Sequence, residues 1–273
     1  MKKRSALSII YSALIMIFLY APIIVMVVFS FNSSRSTSVM TGFSFKWYKE
    51  LIHDNEIMKA LANSLIIAFL SATISTIIGT LASIGIEKFS NKRIKNGVMN
   101  VTNVPMMNPD IVTGVSMLLL FVFSGRLLQQ SNVLGFATLL ITHITFNLPY
   151  VILSILPKLR QMDVYLTEAA SDLGCTPVGA FFKVVLPSIK TGIVTGFLMA
   201  VTLSIDDFVI SYFVTGSSWQ TLPVKIYSMT KRFDPTVYAL STVLFLAILV
   251  LLFLKNIVSK KSNEKKLKGD MAE

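Results

Sequence analysis

The amino-acid sequence predicts an all-α membrane protein that crosses the bilayer about six times. Three observations carry that expectation. Of 273 residues, 53% are hydrophobic and only 14% are charged, against about 25% charged in soluble domains. The apolar residues fall in blocks long enough to cover about 30 Å of hydrocarbon, which takes roughly 20 helical residues. Many of the lysines and arginines behind the net charge of +11 sit in short segments between those blocks and in the C-terminal tail. A nucleic-acid-binding module needs a basic surface on a folded polar unit, and the chain has no room for one, so nucleic acid is not expected as a partner. The single cysteine, Cys175, forms no disulfide within the chain. It reads as a small side chain rather than a metal ligand, because a metal site needs several soft donors.

Lys2, Lys3 and Arg4 precede the first block, Ala6 to Phe31. This block exceeds the 7–15-residue core of a cleaved signal and reads as a retained span, with Pro22 tolerated inside it. Residues 32–59 read as a polar loop in which Phe43, Phe45, Trp47 and Tyr48 form a short interfacial segment. The second block, Ala60 to Ile86, carries Ser71, Ala72, Ser75, Gly79, Ala82, Ser83 and Gly85. Small residues let helices approach closely in lipid, so this helix is expected inside a bundle. A basic loop, 87–96, comes next.

The third block, Gly97 to Gly125, contains Pro105, Asn108, Pro109 and Asp110. Its strongly apolar part, Ile111 to Phe123, is short for a span and is extended backwards through the prolines as a broken or kinked helix. The fourth block, Val133 to Pro157, includes His143, Asn147 and Pro149. His143 there either bridges helices or serves function. Residues 158–191 form the longest polar stretch between spans and read as two short helices. Asp163 caps the first, which ends at Gly174 and gathers Leu166, Ala169, Ala170 and Leu173 on one face. Thr176 caps the second, Pro177 opens it and Pro187 ends it. The fifth block, Gly192 to Val214, contains Asp206 and Asp207. The sixth, Thr236 to Leu254, leads into a basic tail, 255–273.

With both termini in the cytoplasm, the inner segments hold 17 of the 25 basic residues and the outer loops 8. That bias sets the expected orientation. The chain contains no phosphate-binding Gly-x-x-x-x-Gly-Lys loop, no His-Glu-x-x-His and no Gly-x-Ser-x-Gly elbow, so no catalytic residue is assigned. No internal repeat is evident, and an inverted-repeat transporter receives no support.

Residues 168–187 read EAASDLGCTPVGAFFKVVLP. Glu168, Ala169 and Ala170, then Gly174, Val184, Leu186 and Pro187, reproduce the spacing of the cytoplasmic EAA loop, and the chain resembles the permeases of binding-protein-dependent ABC importers. Over nearly its full length it looks like the C-type permease of spermidine/putrescine importers. FNSSR at Phe31 to Arg35, MMNPDIV at Met106 to Val112, THITFNLP at Thr142 to Pro149, SIDDFVISYFVTG at Ser204 to Gly216 and LPVKIYSM at Leu222 to Met229 carry that likeness. The resemblance implies the importer permease fold over 1–273, with an EAA coupling helix in loop 158–191. Glu168, Ala169, Ala170, Gly174, Leu186 and Pro187 then belong to the coupling hairpin. It implies a non-catalytic subunit of the bacterial plasma membrane, surrounded by lipid. The expected partners are a second polyamine permease, an ATPase dimer that binds the ATP and Mg, and an extracytoplasmic polyamine-binding protein; this chain itself holds no cofactor. The alternatives are an importer permease for another small organic solute, or a transporter working without ATP.

Three carboxylates are candidates for the substrate path: Asp207, Asp206 and Asp110. A carboxylate in lipid is costly by roughly 2.5–3.5 kcal/mol even on permissive scales, so each is expected to face protein or water. Asp207 lies three residues after Ser204 and four before Ser211, which places all three on one face of a continuous helix. It is the preferred path residue, with structural hydrogen bonds as the alternative. Asp110 either faces the path or caps the broken third helix.

Overall fold

A computed structural model describes residues 6–269 except 36–38, 131, 164, 217–218 and 231–233, with side chains described at 10–250 and 252–253 of that range. Lys2, Lys3, Arg4, Lys231 and Arg232 of the charge count lie outside the described residues, as do the side chains of the basic tail. Among the described residues the regular structure is helical, apart from one isolated bridge between Asn32 and Phe43. Among the described residues, five helices are long and apolar enough to cross a membrane, and a sixth carries a shorter apolar stretch, Thr236–Val250. The protein is a multi-pass, all-α membrane protein. By contacts it divides into two units, Met1–Lys59 with Lys225–Ala247, and Ala60–Val224 with Ile248–Glu273.

In the first unit, α1 (Ala6–Ser30) leaves its apolar stretch unburied within the chain. Asn32, 1% exposed, organises the turn beyond it. Its Oδ1 accepts from the Thr41 N–H at 3.0 Å, its Nδ2 donates to the Val39 carbonyl at 2.9 Å, and its own carbonyl accepts from the Trp47 indole N–H at 2.6 Å. The expected polar loop 32–59 is shorter than anticipated. It contains α2 (Lys46–His53), and α3 (Asn55–Lys88) already begins at Asn55. Asp54 makes that early start possible, because its carboxylate accepts from the free N–H groups of Glu56 and Ile57. The aromatic segment splits in two: Trp47 is buried, whereas Phe43 and Phe45 stay exposed and stack on Phe31. Elsewhere in this unit Lys225 pairs with Glu56 at 2.5 Å. The chain continues through α11 (Leu222–Thr230) into α12 (Thr236–Gly269).

In the second unit the expected basic loop shrinks to residues 89–91. Asn91 caps α4 (Lys92–Met107) by accepting from the Arg93 N–H. The broken third block is confirmed at Asn108-Pro109, where α4 stops and α5 (Asp110–Leu127) starts. Its reason is ordinary chemistry: the residue before a proline is pushed out of helical geometry. At 18 residues α5 is long enough to span alone, so the backward extension through the prolines is not needed.

The spine of this unit is the pair α6 (Phe136–Arg160) and α9 (Leu186–Asp206). Gly192, Gly196 and Ala200 recur every fourth residue along α9 and are buried. A Cβ on Gly192 would lie 3.0 Å from the Ser154 carbonyl and 3.3 Å from the Ile155 Cα, so glycine is what brings the two backbones together. Val151, Ile155, Ile189 and Ala200 fill the contact, and Ala72 of α3 joins them. The small stripe on α3 is buried as expected at Ser71, Ala72, Ser75 and Ser83. Gly85 is the exception and lies in open space.

Pro187 does not end the second hairpin helix, contrary to expectation. Helix α8 (Pro177–Ala180) passes through a π turn, Phe181–Val185, straight into α9. The Leu186 N–H reaches five residues back, to the Phe181 carbonyl. The wider turn relieves the clash that a proline ring makes with the carbonyl four residues before it.

Gly192→Ala is expected to cost about 1–3 kcal/mol by overpacking the α6–α9 contact. Gly85→Ala, with no neighbour to meet, should be neutral or stabilising by up to about 1 kcal/mol. Thermal midpoints of the two purified variants in one detergent check the contrast; equal midpoints would remove the close-approach account.

Candidate functional site

The unit's interior carries a continuous polar chain. Asn147 of α6 donates to Ser71 Oγ of α3 at 3.3 Å, Ser71 Oγ lies 3.1 Å from Ser204 Oγ of α9, and Ser204 Oγ lies 2.5 Å from His143 Nδ1 of α6. On the far side of the imidazole, Nε2 is 3.0 Å from Ser211 Oγ and 3.6 Å from a carboxylate oxygen of Asp207. Asn147, Ser71 and Ser211 are wholly buried, and His143 is 1% exposed. Mutual hydrogen bonds offset much of the cost of burying these groups, although Asn147 Oδ1 meets no hydrogen-bond partner among the described residues.

Asp207 sits where the fifth block breaks. The expectation of one continuous helix through Asp206 and Asp207 is not met: α9 ends at Asp206, Asp207 is extended at φ −67° and ψ 118°, and a short helix, α10 (Val209–Val214), begins beyond it. The Asp207 carboxylate caps α10, accepting from the Ile210 N–H at 3.2 Å and the Ser211 N–H at 2.7 Å. Ser204, Asp207 and Ser211 do meet, but around the imidazole of His143 rather than along one helix face. Thr138 of α6 donates to the Val214 carbonyl at 3.0 Å, so both ends of α10 are tied. The Asp207 side chain is 6% exposed and engaged with the break. Asp206, one residue earlier, is exposed at the C-terminal end of α9.

Asp110 is also exposed, and it does not cap its helix. Pro109 occupies the cap position, and Asp110 is the first residue of α5. The amide of Asn108 spans the break instead, donating to Thr113 Oγ1 at 3.3 Å.

The hairpin between α6 and α9 is built from α7 (Tyr165–Asp172) and α8. Asp163 accepts from the Tyr165 N–H, and Thr176 accepts from the Gly179 N–H, as their positions in the sequence lead one to expect. Gly174 has φ +82°. The Cys175 N–H returns to the Ala170 carbonyl at 2.9 Å and the Gly174 N–H to Ser171 at 2.9 Å, the bond pair of a left-handed helix stop. The shared small face divides: Ala170 is buried within the hairpin, whereas Glu168 and Ala169 are exposed. Leu173 is 87% exposed, with Val178 and Phe182 also outward. Glu168 borders an open cavity of about 800 Å³ whose walls include Glu87, Arg160, Asp172 and Phe181. Glu87 pairs there with Lys95 at 2.8 Å and Arg160 at 3.3 Å, tying the ends of α3, α4 and α6. Leu186 and Pro187 stand at the junction of the π turn and α9. Among the described residues no group of three or more His, Cys, Asp or Glu is placed to hold a metal ion.

Residues 75–263 match the family described as the binding-protein-dependent transport system inner membrane component. The chain is 40% identical over 232 residues to the putrescine transport system permease protein PotI of Escherichia coli, covering 85% of this chain and 83% of that one. It is 40% identical over 244 residues to the spermidine/putrescine transport system permease protein PotC of Escherichia coli, covering 89% and 90%. The PotC protein of Haemophilus influenzae is 39% identical over 247 residues, covering 90% and 93%. Among solved structures, a bacterial ABC transporter involved in alginate import is similar with a TM-score of 0.72 at 14% identity, covering 93% of this chain and 94% of that one. An amino acid ABC transporter is similar at 0.56 and 20% identity, covering 79% and 98%. At these identities the structures speak for the fold.

Gly174 supplies the prediction of this site. A Cβ there would meet no neighbour within 4 Å, so substitution acts through the backbone alone. Gly174→Ala should weaken the helix stop by about 1–2 kcal/mol. Hydrogen exchange at the Cys175 amide is then expected to rise roughly 5- to 30-fold, while Gly174→Asn, which visits the left-handed region more readily, stays closer to wild type. Unchanged exchange in Gly174→Ala would show that the stop is not needed.

Proposed function

The chain belongs to the family of inner-membrane components of binding-protein-dependent transport systems, and from that premise we propose that it is the permease subunit of an ATP-driven polyamine importer. In this reading residues 1–273 act as one permease domain. The chain forms the translocation path with a second, similar permease, and an ATPase dimer supplies the work. An extracytoplasmic binding protein delivers putrescine or spermidine. The named relatives, similar over most of their length, support the substrate class. The observation that carries the transport reading is the exposed hairpin, in which Leu173, Val178 and Phe182 stand out around a rigid glycine stop.

The hairpin is the coupling element. Ala169 and Leu173 dock against the ATPase and Glu168 flanks the contact, whereas Ala170 and Gly174 shape the hairpin from within. Leu186 and Pro187 join it to α9, so a push on the hairpin travels along one helix, Pro177 to Asp206. The basic-residue bias places the hairpin, both termini and the α3–α4 turn in the cytoplasm. Ala169→Trp is expected to abolish retention of the ATPase subunit on purification at normal membrane abundance. Normal retention, or labelling of Ser171→Cys from outside the cell in a Cys175→Ala background, would overturn the assignment.

The path runs past the exposed carboxylates. Asp206 and Asp110 are exposed within segments that cross the membrane, and an ionised carboxylate is not left against lipid, so each faces water or the partner permease. Asp206 also stands at the negative end of the α9 dipole, which favours a cation. Asp207 supports that site from behind. Asp206→Asn is expected to raise the half-saturating substrate concentration for uptake about tenfold, equivalent to roughly 1.4 kcal/mol, in the assembled transporter with its binding protein. Asp110→Asn should have a smaller effect. Wild-type uptake kinetics in both variants and in the double variant would remove the carboxylate path.

A further inference from the structure

We propose that His143 is a positioning residue of the transporter: its imidazole latches the break between α9 and α10 onto α6 and thereby fixes where Asp206 stands. The inference rests on the path role assigned to Asp206, and it starts from the contacts of the ring. Asn147 Nδ2 is a donor only, and Ser71 Oγ accepts from it. Ser71 Oγ also donates to the Ala68 carbonyl at 3.3 Å and lies 3.1 Å from Ser204 Oγ, which in turn lies 2.5 Å from His143 Nδ1. On the other side of the ring, Nε2 lies 3.0 Å from Ser211 Oγ and 3.6 Å from an Asp207 carboxylate oxygen. Both ring nitrogens are therefore engaged, each by a different segment of the chain.

The placement of these partners gives the latch its reach. Ser204 is on the last turns of α9, Asp207 is the extended residue of the break, and Ser211 is in the first turn of α10. One rigid ring on α6 therefore holds the segment before the break, the break itself and the segment after it. Asp206 lies between two of those anchors, yet its own side chain is exposed. Its backbone position is consequently set by a residue 63 positions earlier in the chain, through contacts at 2.5, 3.0 and 3.6 Å. The other charged side chains facing the break from packed elements do not compete: Asp110 is at the exposed start of α5, and Asp207 already accepts two backbone N–H bonds.

The test separates latch from path. In a Cys175→Ala background, Asp206→Cys is labelled with a small cationic thiol reagent in the assembled transporter, with His143 intact, as His143→Gln and as His143→Leu. The latch predicts an about tenfold change in labelling rate for His143→Leu, and a smaller change for His143→Gln, which keeps a donor and an acceptor. This readout does not depend on what Asp206 binds. Uptake is measured alongside, with His143→Leu in the wild-type and Asp206→Asn backgrounds. A latch acting through Asp206 raises the half-saturating concentration in the first background and leaves it unchanged in the second, whereas a merely structural loss lowers the amount of assembled transporter in both. If Asp206→Asn alone is silent while labelling still depends on His143, the path role fails and the latch stands. If His143→Leu does not assemble, the paired Ser204→Ala and Ser211→Ala variant decides by the same labelling. Unchanged labelling in the assembled variants overturns the proposal.

Discussion

A helix interrupted inside hydrocarbon exposes N–H and C=O groups that no water can reach, and each such group costs several kcal/mol when left alone. The interruptions of this chain are organised around that constraint. At the α9–α10 break, the Asp207 carboxylate takes up the Ile210 and Ser211 N–H groups. At the other end of α10 the Thr138 hydroxyl meets the Val214 carbonyl. At the α4–α5 break, proline removes one N–H outright and the Asn108 amide bridges to Thr113. In the polar turn beyond α1, outside the span, the Asn32 side chain likewise meets the Thr41 N–H and the Val39 carbonyl. The irregular segments are thus defined by their side-chain partners, and an exposed carboxylate can be presented beside one of them without the backbone unravelling.

The second constraint is mechanical. Glycine and alanine on α9 bring it against α6 closely enough that the pair cannot slide without backbone contact. The π turn keeps the hairpin and α9 in one uninterrupted helix although Pro187 lies in the middle of it. One end of that helix carries the exposed hairpin and the other ends at Asp206. Motion imposed on the hairpin has a stiff element to act on, and the polar chain through Ser204, His143 and Ser211 is where that element meets α6.

Much of this was legible in the residues. The EAA spacing, the caps at Asp163 and Thr176, the helix end at Gly174 and the break at Asn108-Pro109 arise from local chemistry. Residues close in sequence largely determine such features, whatever the tertiary context. The π turn was not legible, because Pro187 read alone is a helix stop and only the widened hydrogen bond from Leu186 to Phe181 rescues it. Nor was the break at Asp207: in an apolar block, SIDDFVIS shows no glycine or proline to announce it. The partner that makes the break possible, His143, lies 64 residues upstream. The split of Ala169 from Ala170 was equally hidden, since a helical repeat groups them while packing against the hairpin's second helix buries only one.

The adjacent pair Asp206-Asp207 shows what the break accomplishes. On one regular helix the two side chains would diverge by about 100° and differ only in direction. Across the break they differ in chemistry. Asp207 is enclosed, its charge met by two N–H groups with an imidazole beside them. Asp206 is exposed, and the end of α9 adds partial negative charge to it rather than neutralising it. Two neighbouring carboxylates both turned toward a polyamine would form a deep trap midway along the path, whereas conduction needs a site weak enough to leave. In the proposed path, enclosing one and exposing the other keeps the attraction to a single charge.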